Sequence, residues 1–176
     1  MKSKENIVFL GMMGSGKSSI GSLVAKKLKL NFVDIDEEIE KNLKITIKKI
    51  FEIKGEQYFR KIEEQTTLKK LKLNSNVISL GCGAFTNNNI RNEILKNHLS
   101  FWLNWEDKIL LNRIKNSKKR PLAISATDTE LIDLIKKRSK IYSKALYEIK
   151  CDNLTKSEIV NKILEIYETN QIKHSN

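Results

Sequence analysis

The stretch "GMMGSGKSSIG", residues 11–21, decides how the rest of the chain is read. From Gly11 to Ser18 it fits G-x-x-x-x-G-K-[ST], a pattern with a mechanism when a strand precedes it and a helix follows. Both flanks agree. The apolar run "NIVFL" (6–10) leads directly into Gly11, and after Lys17 the residues Ile20, Leu23, Val24 and Leu28 make one helical stripe. Glycines let the loop curl so that successive N–H groups point inward, and the following helix adds the positive end of its dipole. The pattern therefore predicts a phosphate cradle built from Gly14, Ser15, Gly16, Lys17, Ser18 and Ser19. Lys17 is expected to reach the β- and γ-phosphates of a nucleoside triphosphate, and the Ser18 hydroxyl to ligate Mg²⁺.

Outward from this loop, the short apolar runs "NIVFL", "NFVDI", "NVISL", "SFWLNW" and "YEIKC" alternate with longer segments of helical periodicity. That alternation predicts an α/β fold, a parallel sheet wrapped by helices. Thr127 with Glu130, and Thr155 with Glu158, have capping-box spacing and mark two helix starts. A length of 176 residues suits one domain, residues 1–176, with no repeat and no low-complexity linker. The single proline, Pro121, lies in "NSKKRPLAISATD" (116–128), which reads as a mobile surface segment, a lid at about 115–127.

Composition narrows the classes. No apolar run approaches the roughly 20 residues of a membrane span, and the N-terminus lacks a signal-peptide pattern, so a cytoplasmic chain without membrane attachment is expected. Cys82 and Cys151 are too few for a disulfide framework or a four-cysteine zinc site. The net charge of +12 comes from scattered basic residues without aromatic interleaving, which argues against nucleic acid as a partner. Only five of the 33 basic residues are arginine: Arg60, Arg91, Arg113, Arg120 and Arg138. In a chain that otherwise uses lysine, an arginine marks a place that needs a planar fork for carboxylate or phosphate.

Asp34 and Asp36 stand at the end of the second strand and, two residues apart, are expected on one face of it. One could help hold hydrated Mg²⁺ while the other accepts the proton of an attacking hydroxyl; a helix cap is the competing reading. In "FEIKGEQYFRKIEE" (51–64), Gly55 breaks a helix and the next one carries Arg60, which either binds a ligand or pairs with Glu56 or Glu64. Arg138 falls on the apolar stripe of Leu131, Ile135, Tyr142 and Ala145, and a buried guanidinium calls for an anion. "VISLGCGAF" (77–85) supplies a glycine-flanked turn, Gly81, Cys82 and Gly83, whose backbone can approach a ligand or simply turn tightly. Arg120 in the lid segment could close over phosphates and exclude water, or remain a solvated loop charge.

Taken together, "GMMGSGKSSIG", "DID", "FEIKGEQYFRKIEE", "SLGCGAF", "KKRPLA" and "RSKIYSKAL" resemble, in this order, the shikimate kinases. The resemblance covers nearly the whole chain. It implies a three-layer P-loop kinase fold with a five-stranded parallel sheet of order 2-3-1-4-5, a lid, and a substrate-binding helical region at about 34–63. It implies ATP and shikimate as substrates, Mg²⁺ as cofactor, and a monomer. By the same resemblance Lys17, Asp36 and Arg120 are catalytic, Ser18 and Asp34 serve the metal, and Arg113 stacks on the nucleotide base. Asp36, Arg60, Gly81, Cys82, Gly83 and Arg138 are the implied substrate contacts. The chain departs from the family's three consecutive glycines at Cys82, from "RPLL" at Ala123, and from the usual Arg and Pro after the last strand. A gluconate kinase or other small-metabolite kinase of similar fold, and an impaired nucleotide-binding relative, are the competing readings.

Overall fold

The computed structural model describes residues 6–116 and 126–175. Five strands form one sheet: β1 (Ile7–Leu10), β2 (Asn31–Asp34), β3 (Asn76–Ser79), β4 (Leu99–Asn104) and β5 (Tyr147–Lys150). They are ordered β2-β3-β1-β4-β5, and every neighbouring pair is parallel. All five apolar runs in the sequence are thus strands. The register places Ile7 opposite both Val77 and Leu99, so the three central strands share one level. Every residue of β1 and β3 is buried, as expected for strands covered on both faces, whereas β2 and β5 at the edges alternate or lie half-exposed.

Among the described residues seven α-helices accompany the sheet: α1 (Lys17–Leu28), α2 (Ile35–Leu43), α3 (Ile47–Leu71), α4 (Asn88–Asn97), α5 (Asp107–Lys115), α6 (Asp128–Tyr142) and α7 (Lys156–Ser175). Local chemistry sets where most of them begin. Thr46 caps α3, Asn87 caps α4, and both capping boxes read from the sequence form at the starts of α6 and α7. Inside α3 the backbone leaves helical geometry at Gly55 (φ 78°), which bends the helix between its first turns and the longer half carrying Arg60. Gly21 serves a different purpose. A Cβ there would lie 2.8 Å from the Phe32 ring and 3.3 Å from Phe9, so its absence lets α1 press onto the sheet.

The segment 117–125, with Arg120, Pro121 and Ala123, lies outside the described residues. On its two sides α5 ends at Lys115 and Thr127 caps α6, and the Lys115 ammonium meets the Asp128 carboxylate at 2.8 Å. Among the described residues no helix is long and apolar enough to cross a membrane.

Candidate active site

The phosphate loop joins β1 to α1 at the carboxyl edge of the sheet, where ligands bind in open α/β folds. Gly14 (φ 79°) and Gly16 (φ 91°) hold left-handed backbone that other L-residues adopt only at a cost. Gly16 opens α1 without any side-chain cap, so the first amides of that helix remain available to an anion. Lys17 is buried and its Nζ donates to the carbonyls of Gly11 and Met12, both at 3.0 Å, which folds the side chain back over the loop. The Ser15 hydroxyl is buried without a hydrogen-bond partner among the described residues, an orphan in the middle of the cradle. Ser18 and Ser19 are exposed on the first turn of α1.

Beyond the loop, the Ser18 hydroxyl donates to Asp34 Oδ2 at 2.5 Å and lies 3.4 Å from the Ser79 hydroxyl. These are hard oxygen donors suited to Mg²⁺, which keeps much of its water and takes further ligands from phosphate. Among the described residues no group of three or more His, Cys, Asp and Glu could hold a metal. Ser79 escaped the sequence reading. Its signal was a hydroxyl at the carboxyl end of the strand run "NVIS".

Asp34 and Asp36 do not share a strand face, contrary to the sequence expectation. The strand stops at Asp34, whose carboxylate caps α2 by accepting the N–H groups of Asp36 (3.0 Å) and Glu37 (3.4 Å). The cap turns the chain, so Asp36 leaves from the first turn of α2 and points toward the 81–83 turn. A Cβ on Gly81 would sit 2.7 Å from Asp36 Oδ1 and would collide with Glu63 Oε1. A Cβ on Gly83 would collide with the Arg60 guanidinium, 2.8 Å from its Cζ. Neither glycine is in the left-handed region. They are small because two carboxylates and a guanidinium press against the turn.

Cys82 between them is also outside the left-handed region, so its side chain carries no backbone strain. Its Sγ lies 3.3 Å from Arg138 Nη1, and its carbonyl accepts the Tyr142 hydroxyl. Arg138 is 9% exposed, and the same Nη1 approaches the Met12 sulfur of the phosphate loop at 3.8 Å. Sulfur is a weak acceptor that carries no carboxylate charge, so these contacts orient the guanidinium without neutralising it. Arg60 lies across the turn. It meets Glu56 at 3.0 Å on the exposed side and Glu63 at 2.7 Å on the buried side. Glu64, one of the two partners expected from spacing, instead accepts from Asn89 at 2.7 Å.

Glu63 was therefore missed by the sequence reading. Phe59, Glu63, Thr67 and Leu71 recur at four-residue spacing and are the buried stripe of this half of α3, a pattern in which a carboxylate stands out. Its Oε1 has no hydrogen-bond partner among the described residues. Burial holds its carboxyl above the usual carboxylate range, against the opposing pull of Arg60. The folded chain then binds a proton on Glu63 at a pH where the unfolded chain has released it. Stability from this group is complete below the ordinary carboxylate range and is lost as pH rises through the raised value. Melting curves of the parent and Glu63→Gln from pH 4 to 8 should show the difference in Tm moving in favour of Gln as pH rises. A constant gap would mean that Glu63 does not titrate in this window.

On the other side of the loop, Arg113 extends from α5. Its Nη1 approaches the Gly14 carbonyl at 3.4 Å and its Cζ lies 3.7 Å from the centroid of the Trp105 ring. These contacts link the phosphate loop, Asp34, Asp36, Arg60, the 81–83 turn and Arg138 to one another, and Arg113 meets the loop at Gly14.

Comparison with known proteins agrees with this geometry. A family described as "Shikimate kinase" matches residues 13–168. Shikimate kinase of Bacillus subtilis (strain 168) is 39% identical over 172 residues, covering 92% of this chain and 88% of that protein. The structure of shikimate kinase from Acinetobacter baumannii in complex with shikimate superposes with a TM-score of 0.88 at 31% identity, covering 94% of both chains. That of the Aquifex aeolicus enzyme gives 0.84 at 37% identity over 94% of this chain and 98% of the other. With the fold, the order of its motifs and relatives of this similarity in agreement, the chain belongs to the shikimate kinase family of ATP-dependent phosphotransferases.

Proposed function

We propose that this chain transfers the γ-phosphoryl group of ATP to the 3-hydroxyl of shikimate, giving shikimate 3-phosphate and ADP. The observation that carries this reading is the pairing of two arginines, Arg60 and Arg138, with Asp36 around a single turn beside the phosphate loop. Two guanidinium forks suit one carboxylate, and a carboxylate nearby suits a hydroxyl; a cyclic hydroxy acid presents both.

In the reaction, the uncapped amides of α1 and the Ser15 hydroxyl receive the phosphates, and Lys17 turns from the loop carbonyls to the β- and γ-oxygens. Ser18 and Asp34 would hold Mg²⁺, which would supply neutralising charge to the phosphates. Arg60 and Arg138 clamp the acceptor's carboxylate, and Glu63 holds Arg60 in place. Asp36 orients the 3-hydroxyl and accepts its proton as the new O–P bond forms and the bond between the γ-phosphorus and its bridging oxygen breaks. Most of the rate comes from positioning and preorganised charge. Arg120, in the segment outside the described residues, is assigned to the phosphates by resemblance, within one domain of 1–176 whose helical region 34–63 faces the acceptor.

Coupled ADP release measured with shikimate, quinate, gluconate and no acceptor tests the assignment. Rapid release with shikimate alone supports it, and faster release with gluconate contradicts it. The same assay decides the role of Cys82. Because its backbone is unstrained, Cys82→Gly should leave turnover within about threefold and lower stability by ~0.4–1 kcal/mol through a looser unfolded chain. A tenfold gain in turnover would mean that the thiol obstructs the acceptor.

A further inference from the structure

Trp105 stands between β4 and α5, is 9% exposed, and takes no part in the roles assigned above. Its Nε1 donates to the Ser15 carbonyl at 2.9 Å, which ties one edge of the indole to the phosphate loop and fixes the plane of the ring. Against the face of that ring lies Arg113, with its Cζ 3.7 Å from the centroid. Arg113 is otherwise exposed, so its guanidinium has an aromatic ring on one side and solvent on the other. The turn that follows β5 is pinned to the same corner: the Cys151 N–H donates to the Asn104 carbonyl at 2.9 Å, and Asp152 Oδ1 accepts the Glu106 N–H at 2.6 Å. A nucleotide whose phosphates lie in the loop has this corner, with Arg113 in it, on the side away from the acceptor.

A guanidinium is planar and delocalised and stacks on aromatic faces, and a purine is such a face. An arginine on an exposed helix normally loses rotamer freedom when it binds, whereas one already laid on an indole has lost much of it beforehand. We propose that Trp105 is a positioning residue for the nucleotide: its ring, locked by the hydrogen bond to Ser15, holds the Arg113 guanidinium flat as the platform on which the purine base stacks. The proposal rests on reading the loop as a nucleotide site and is independent of which alcohol accepts the phosphoryl group.

The test therefore uses no acceptor. Calorimetric titration of the full chain with ADP and with pyrophosphate, which has the phosphates but no base, separates the base platform from the loop. Trp105→Leu should weaken ADP about tenfold and pyrophosphate by no more than about twofold, on the scale of a partly desolvated cation–π contact. Trp105→Phe, which keeps a ring but loses the N–H, should weaken ADP about threefold. Because Trp105 acts through Arg113, the double variant Trp105→Leu/Arg113→Ala should bind ADP within about twofold of Arg113→Ala alone. Equal weakening of ADP and pyrophosphate, or losses that multiply in the double variant, would overturn the proposal. Thermal unfolding of each variant checks its fold, and the same cycle run with Trp105→Phe decides the matter if the leucine variant does not fold.

Discussion

Lys17→Ala lowers turnover by roughly two to three powers of ten, the scale of losing one preorganised donor aimed at developing charge. The same substitution leaves the fold standing. Nζ donates to two loop carbonyls, those of Gly11 and Met12, and the loss of such bonds costs about 1 kcal/mol each. The core beneath, with Phe9, Val24 and Phe101 fully buried, is untouched. Turnover at saturating ATP and a melting curve check both halves of the expectation. A variant within a few-fold of the parent would remove Lys17 from the phosphate site.

Arg138→Lys is expected to weaken shikimate binding by about 1.5–3 kcal/mol, the worth of a charged hydrogen bond, which is roughly 10- to 150-fold. ATP binding should hardly change. Lysine keeps the charge but presents a single point where arginine presents a fork. In the structure one nitrogen of that fork, Nη1, faces the sulfurs of both Met12 and Cys82, so the fork sits within reach of both the phosphate loop and the 81–83 turn. A purely structural role would show itself differently. If Arg138 mainly ties α6 to the loop, Arg138→Lys weakens both ligands alike and lowers Tm, and separate calorimetric titrations with the two ligands distinguish the cases.

The parts of this molecule that were legible in the sequence are those set by local rules. A strand running into a glycine loop and then a helix is one such rule, and β1 does run through that loop into α1 at Lys17. The capping boxes at Thr127 and Thr155 are another. Burial of Arg138 followed from the periodicity of α6. The resemblance to a family supplied the strand order, which no local rule gives. What escaped is set by contacts between distant elements. Four-residue spacing offered Arg60 both Glu56 and Glu64; Glu56 does pair with it, but its buried partner is Glu63, on the inward stripe of α3. The pair Asp34 and Asp36 admits both one strand face and a helix cap, and the cap is what Asp34 makes, because alternation does not reveal where a strand ends. Gly81 and Gly83 were read as freedom of backbone, and they are freedom of space for side chains arriving from α2 and α3. The contact of Trp105 with Ser15 spans 90 residues and has no signature in either neighbourhood.

The most direct test of the whole account is the identity of the product. Purified chain incubated with ATP, Mg²⁺ and shikimate is followed by phosphorus NMR, with the phosphorylated product resolved by its proton couplings. The account predicts a phosphate monoester on the 3-hydroxyl, formed in a one-to-one ratio with ADP and abolished in Asp36→Asn. Inorganic phosphate as the only product, or an ester on a different hydroxyl, would contradict it.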